Sequence, residues 1–299
     1  MASHDTQHEV YYVPAQSKWP IVGSIGLLVT VLGAGTLMNN LSSGGEAGAA
    51  RWVLMAGLAI IAYMFFGWFS NVISESRQGL YSAQMDRSFR MGMGWFIFSE
   101  VMFFAAFFGA LFYIRVLVGP WLAGEGERGY SNMLWPGFEF SWPLLQNPDP
   151  ATFPGPRETI SPWQLPLINT IILISSSVTV TLAHHALRAG KRAALRNWLL
   201  LTVVLAVIFL TLQIMEYVHA YNDLGLTLNS GIYGATFFML TGFHGAHVFM
   251  GTLILTVILL RVIKGHFTPD NHFGFEAAAW YWHFVDVVWV GLFIFVYVV

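Results

Sequence analysis

The stretch Gly231–Leu260, GIYGATFFMLTGFHGAHVFMGTLILTVILL, runs thirty residues without an Asp, Glu, Lys or Arg. A helix that crosses a bilayer needs ~20 mostly apolar residues, so this run is long enough to tilt or to extend beyond the lipid. Six more apolar stretches read the same way: Pro20–Met38, Trp52–Ser70, Met91–Val118, Leu165–Ala186, Trp198–Val218 and Phe275–Val299. Membrane barrel strands show ~10-residue alternating segments, and these are continuous runs. The expectation is an all-α integral membrane protein with seven transmembrane helices.

Composition agrees. Of 299 residues, 56% are hydrophobic and only 10% charged, against ~25% charged in soluble domains. Mean hydropathy is +0.60. Fourteen Lys+Arg against sixteen Asp+Glu give a net charge of -2, with no basic footprint for nucleic acid. There are no cysteines, which excludes disulfides, zinc-thiolate sites, iron–sulfur clusters and thiolate-bridged copper. The opening MASHDTQHEVYYVPAQSKWP lacks the basic-then-apolar order of a cleaved signal peptide and reads as a polar tail.

Ten cationic residues (Lys18, Arg77, Arg87, Arg90, Arg188, Lys191, Arg192, Arg196, Arg261, Lys264) fall on the side of the N-terminus if seven spans are drawn. Four (Arg51, Arg115, Arg128, Arg157) fall on the other. The positive-inside rule then puts the N-terminus in the cytoplasm and the C-terminus outside. The loop 119–163 holds eight of the twelve prolines, including Trp135-Pro136 and Trp142-Pro143, and reads as an extended external loop with short turns. The Gly/Ser-rich loop 39–51 is flexible by composition and lets the first two spans stand apart from the other five.

Ionisable groups inside the spans need a reason, because a charge at mid-bilayer costs about 2.5–3.5 kcal/mol. Glu100, in GWFIFSEVMFFAAFF, lies nine residues into its span, ~13 Å deep at 1.5 Å per residue. It reads either as a hydrogen-bonded helix tie or as a proton-linked acid. Ser175 and Thr179 sit four apart, a close-packing face. His184 and His185 are neighbours whose side chains diverge by ~100° and cannot grip one metal together. Glu216 and His219, His244 and His247, and His283 and Asp286 are each three apart and can share a face. Haem or metal ligation competes here with a helix-to-helix polar network. Trp19, Trp52, Trp68, Trp198, Trp280, Trp282 and Trp289 read as interfacial anchors. A free-standing proton-coupled transporter is a second reading, weakened because no internal repeat is visible.

Several motifs carry a resemblance. GIYGATFFMLTGFHGAHVFMG, HFTPDNHFGFEAAAWYWHFVDVVWV, FSEVMFFAAFFGALF around Glu100, LINT at 167–170, LAHHALR at 182–188 and the approach to Lys18-Trp19-Pro20 resemble subunit III of cytochrome c oxidase. The similarity spans nearly the whole chain. The resemblance implies a V-shaped bundle of two helices plus five, here 1–73 and 74–299, with phospholipids in its cleft. It implies a non-redox subunit with no catalytic or metal residue, the haem and copper being in partner subunits. Such a subunit packs on subunit I, sits in a complex with subunit II, stabilises subunit I, supports proton uptake and gives oxygen access. The complex belongs to aerobic respiration, an oxidoreductase that reduces oxygen to water and translocates protons. Its place is the bacterial inner membrane, or the mitochondrial inner membrane with the N-terminus in the matrix. Glu100 matches the family's intramembrane glutamate. Trp68, Glu75 and Arg261 match positions that bind anionic or zwitterionic phospholipid headgroups, with His266 and His272 as additions. Between Ser76 and Ser82 the paired histidines of some members are absent, and Leu80 and Tyr81 stand there instead. The proline-rich loop is longer than in animal members. The missing cysteines disfavour subunit II, and no His–Glu–Tyr cluster suits subunit I.

Overall fold

The computed structural model describes residues 12, 13 and 15–299; the reading of residues 1–11 as a polar tail lies outside them. Among the described residues there is no strand. The helices are α1 (Trp19–Ser42), α2 (Ala50–Arg77), α3 (Ala83–Tyr113), a short α4 (Gly119–Leu122), α5 (Leu165–Arg188), α6 (Arg192–Asn222), α7 (Ile232–Ile263) and α8 (Phe273–Leu292). A π-helical stretch, Ile114–Val118, joins α3 to α4, and another, Phe293–Val298, prolongs α8. Among the described residues, seven helices are long and apolar enough to cross a membrane. Most outrun the apolar windows read from sequence, because a helix keeps its own backbone hydrogen bonds after it leaves the hydrocarbon.

The chain divides into two compact units, one ending at Phe89 and the other running Arg90–Val299. In the first, α1 lies against α2 through glycines. A Cβ added at Gly33 would stand 2.4 Å from the Leu54 nitrogen, and one at Gly57 would stand 2.4 Å from the Thr30 hydroxyl. Only glycine allows that approach, the small-residue packing that drives helix association without a hydrophobic force. Trp19 is buried edge-on against Tyr63 at 5.6 Å.

In the second unit α5, α6, α7 and α8 form a four-helix bundle, and α3 packs on α7 and α8 through Phe96, Phe103 and Phe104. The core is threaded with hydrogen bonds. Trp282 and Trp289 are fully buried; their indole N–H groups donate to Ser176 Oγ and Thr170 Oγ1, each at 2.9 Å. The expectation that these two tryptophans are interfacial anchors is therefore corrected. They fix the register of α8 on α5, as a buried indole needs an acceptor. Thr179 meets Thr202 at 2.8 Å across α5 and α6. Tyr217 meets Thr241 at 2.7 Å across α6 and α7. The Ser175–Thr179 pairing is also corrected: Thr179 is buried, but Ser175 is exposed and donates to its own Ile171 carbonyl. The packed face of α5 carries Ser176 and Ala183 beside Thr179.

The loop between α4 and α5 is irregular with one 3-10 turn, Gly129–Met133. Asn132 Nδ2 ties it to α4 by donating to Leu122 O at 3.2 Å, and Asn147 Nδ2 ties it to the start of α7 by donating to Ser230 O at 3.3 Å. Its Asp149 accepts from the Thr152 hydroxyl at 2.6 Å, which holds that carboxyl below its ordinary value.

Gly57→Val should prise α1 from α2. Overpacking costs about 1–3 kcal/mol even where side chains can yield, and here backbone opposes the new methyl groups. Limited proteolysis in the 39–51 loop should speed up markedly relative to the parent; an unchanged rate would show that the glycine contact does not hold the pair.

Candidate functional site

Glu100 stands near the middle of α3. Its Oε2 lies 2.9 Å from Nε2 of His247 on α7. His247 Nδ1 lies 2.6 Å from the Phe243 carbonyl, which can only accept, so Nδ1 carries a hydrogen. Two proton placements then satisfy the contact. Either a neutral carboxylic acid donates to the bare Nε2, or a protonated imidazole donates to a carboxylate. Both leave the pair with no net charge. A carboxylate facing a bare Nε2 lone pair would be repulsive and would bury an unanswered charge. The pair is largely enclosed: the Glu100 side chain is 22% exposed and the His247 side chain 16%. Phe104 packs edge-on to the imidazole at 5.0 Å, Tyr281 lies parallel to it at 6.4 Å, and Phe103 and Phe284 close the surround. The sequence singles out Glu100 but not this partner, which is remote along the chain.

Two of the three pairs expected to share faces go to other partners, whereas His283 and Asp286 both meet Ser177. Glu216 accepts from Tyr297 at 2.7 Å and from Gln213 at 3.2 Å, while His219 turns to Asp223 at 2.7 Å. His244 Nε2 meets the Val285 carbonyl at 3.1 Å, while His247 meets Glu100. His283 bonds to Ser177 at 2.6 Å and Thr181 at 3.3 Å on α5. The reason is geometric. Positions three apart on a helix diverge by about 60°, enough to aim each at a different neighbour.

A second cluster forms where α5 ends and α8 begins. His184, His272 and Glu276 bring ligand-type atoms within 4.8 Å of one another, a donor set of the kind that holds a divalent cation. The family resemblance implies no metal, and the sequence alone does not assemble this set, whose members come from two helices and the turn before α8. Arg90 donates to Glu276 and answers its charge from within the chain. His272 Nε2 is 3.1 Å from Glu276, and His184 Nε2 is 3.6 Å away.

The residues expected to hold phospholipid fall in both units. Trp68 on α2 is 47% exposed and stacks on Phe69 at 5.8 Å. Glu75, in the last turn of α2, accepts from the Tyr81 hydroxyl at 2.8 Å. Burial, and next the Glu75 carboxylate itself, raise that hydroxyl above its ordinary value, so it stays a donor. Arg261 closes α7 and lies over the Phe267 ring at 4.3 Å. The His266 N–H donates to the Arg261 carbonyl at 3.0 Å, and His272 stands at the start of α8. Arg261, His266 and His272 thus share one turn; Trp68 and Glu75 belong to the other unit.

The model of the family "Cytochrome c oxidase subunit III" matches residues 8–123 and 150–299. The chain belongs to the cytochrome c oxidase subunit III family. It is 40% identical over 294 residues to "Cytochrome c oxidase subunit 3" of Arabidopsis thaliana, covering 98% of this chain and 97% of that protein. It is 38% identical over 292 residues to the protein of the same name from Pongo abelii, covering 97% of each. It is therefore an integral membrane component of an oxidase complex. The family match omits residues 124–149, inside the proline-rich loop.

Glu100→Gln should leave the subunit assembled, because an amide N–H can still donate to Nε2. Glu100→Ala should destabilise it by about 1–3 kcal/mol through the orphaned imidazole. Thermal retention of the assembled complex in mild detergent reads both; equal loss from the two variants would make the carboxylate itself indispensable.

Proposed function

We propose that this chain is the non-redox subunit of a respiratory cytochrome c oxidase. It braces the catalytic subunit I in a complex with subunit II, which reduces oxygen to water and translocates protons. The observation that carries this reading is how its intramembrane polar groups are used. Both ring nitrogens of His247 and both of His283 are hydrogen-bonded within the chain, and Glu100 and Glu216 accept from neighbouring side chains or share a proton with them. A ligand to haem iron needs a ring nitrogen free and aimed. His244 keeps a buried Nδ1 without a hydrogen-bond partner, and the electron carriers are assigned to the partner subunits on the family resemblance.

The basic turn at Arg261, with His266 and His272, suits a phospholipid phosphate, as cationic pockets between helices do. Trp68 and Glu75 are the matching candidates in the first unit. The reading places the chain in the bacterial inner membrane or the mitochondrial inner membrane. Its N-terminus then faces cytoplasm or matrix, and its C-terminus the periplasm or intermembrane space. Proton uptake and oxygen access by the catalytic subunit are the activities it would support. The neutral Glu100–His247 pair suits that role, since it can shift a proton internally without changing the charge inside the membrane.

Two measurements test this. The chain purified alone should show no stoichiometric haem or copper by optical spectrum and metal analysis; either one would overturn the proposal. In the intact complex, Arg261→Ala should lower the number of tightly bound phospholipids counted by native mass spectrometry. An unchanged count would remove Arg261 from the headgroup site.

A further inference from the structure

His184, His272 and Glu276 meet where α5 ends and α8 begins. His272 precedes α8 and Glu276 lies in its first turn, four positions on and so on the same side of the helix. The His272 side chain is 10% exposed. Its Nδ1 lies 3.2 Å from the Thr268 carbonyl, which can only accept, so Nδ1 carries a hydrogen and the neutral ring has its lone pair on Nε2. That Nε2 is buried with no hydrogen-bond partner and faces Glu276 Oε1 at 3.1 Å. The His184 ring stacks on Phe275 at 5.5 Å, and its Nε2, likewise buried with no hydrogen-bond partner, lies 3.6 Å from the same Oε1. A helix-to-helix hydrogen-bond network accounts for His247 and His283, whose ring nitrogens all find partners. It does not account for His184 and His272.

Two imidazoles and one carboxylate are the donor set of a zinc site with three protein ligands, the fourth position going to water. Zinc bonds of ~2.0–2.1 Å in tetrahedral geometry set ligand atoms about 3.3 Å apart, and the spacings of 3.1 and 3.6 Å to Oε1 bracket that edge. The ligand atoms of all three residues lie within 4.8 Å of one another. Outer partners hold two of them in place: the Thr268 carbonyl orients the His272 ring, and Arg90 donates to Glu276 Oε2, which leaves Oε1 turned to the imidazoles. The guanidinium charge disfavours calcium and magnesium, which depend on oxygen ligands and carboxylate charge; directed imidazole lone pairs favour zinc. The His184 side chain is 27% exposed, which leaves an approach from outside.

We propose that His184, His272 and Glu276 bind a zinc-type divalent cation that staples the start of α8 to the end of α5. This goes beyond the functional reading above and does not depend on it. Zinc carries no electron, so the site is compatible with a non-redox subunit, and Arg261 and His266 remain for a lipid phosphate.

The test uses the full chain in mild detergent, equilibrated with zinc sulfate, desalted and assayed for metal by mass spectrometry. The parent should retain one zinc per chain. His184→Phe keeps a ring to stack on Phe275 but offers no nitrogen, and should retain at least fivefold less, as should His272→Asn. His219→Ala removes the exposed imidazole beside Asp223 and should retain as much as the parent. Zinc should also raise the thermal unfolding midpoint of the parent and leave that of His184→Phe unmoved. A readout on the parent alone keeps the proposal falsifiable if a variant fails to fold: cobalt(II) in place of zinc should give the strong visible bands of a four-coordinate site. No zinc retained by the parent, equal zinc in His184→Phe, loss in His219→Ala as well, or only the weak bands of hydrated cobalt would each overturn the site. Zinc retained with no thermal shift in the parent would overturn the staple.

Discussion

Hydrocarbon offers no hydrogen-bond partner, and the second unit is built to that constraint. Each contact between neighbouring helices of its bundle carries at least one polar bond. Trp282 and Trp289 bind hydroxyls of α5, Thr179 binds Thr202, Tyr217 binds Thr241, and His244 meets the Val285 carbonyl. Glu100 and His247 add α3 to the set. In a membrane these bonds set rotation and register more than they supply affinity, because the separated helices would also find partners. Apolar packing fills the remaining space, and the bonds select one arrangement among many of similar packing energy.

The same constraint explains the chemistry of the Glu100 site. An acid near the middle of a span is tolerated when its charge is either absent or answered at contact distance. The Phe243 carbonyl fixes which imidazole nitrogen bears hydrogen, and so couples the state of Glu100 to that of His247. Phe103, Phe104, Phe284 and Tyr281 pack around the pair.

The seven spans were legible in sequence because hydrophobic length is a one-dimensional property, written residue by residue along the chain. Glu100 was legible for the same reason, as a charge set in an apolar run. Its partner was not. His247 stood beside His244 in the sequence and read as half of a local pair, whereas the contact that matters is with a distant helix and depends on helix rotation. Tryptophan position misled similarly. An indole near a span end reads as an interfacial anchor, and nothing local marks Trp282 and Trp289 as buried donors until Ser176 and Thr170 are seen opposite them. The cluster of His184, His272 and Glu276 needed the turn between α7 and α8 to bring α8 back beside α5. The family motifs supplied what periodicity could not, an expectation about which of these residues face lipid or partner.

A double-mutant cycle on Trp282→Phe and Ser176→Ala, read by thermal unfolding of the assembled complex, tests most directly whether polar bonds specify the bundle. The account predicts a coupling of about 0.5–1.5 kcal/mol, the range of such bonds in membranes. Strictly additive losses would contradict it, leaving the packing of apolar surfaces as the sole determinant of how these helices are arranged.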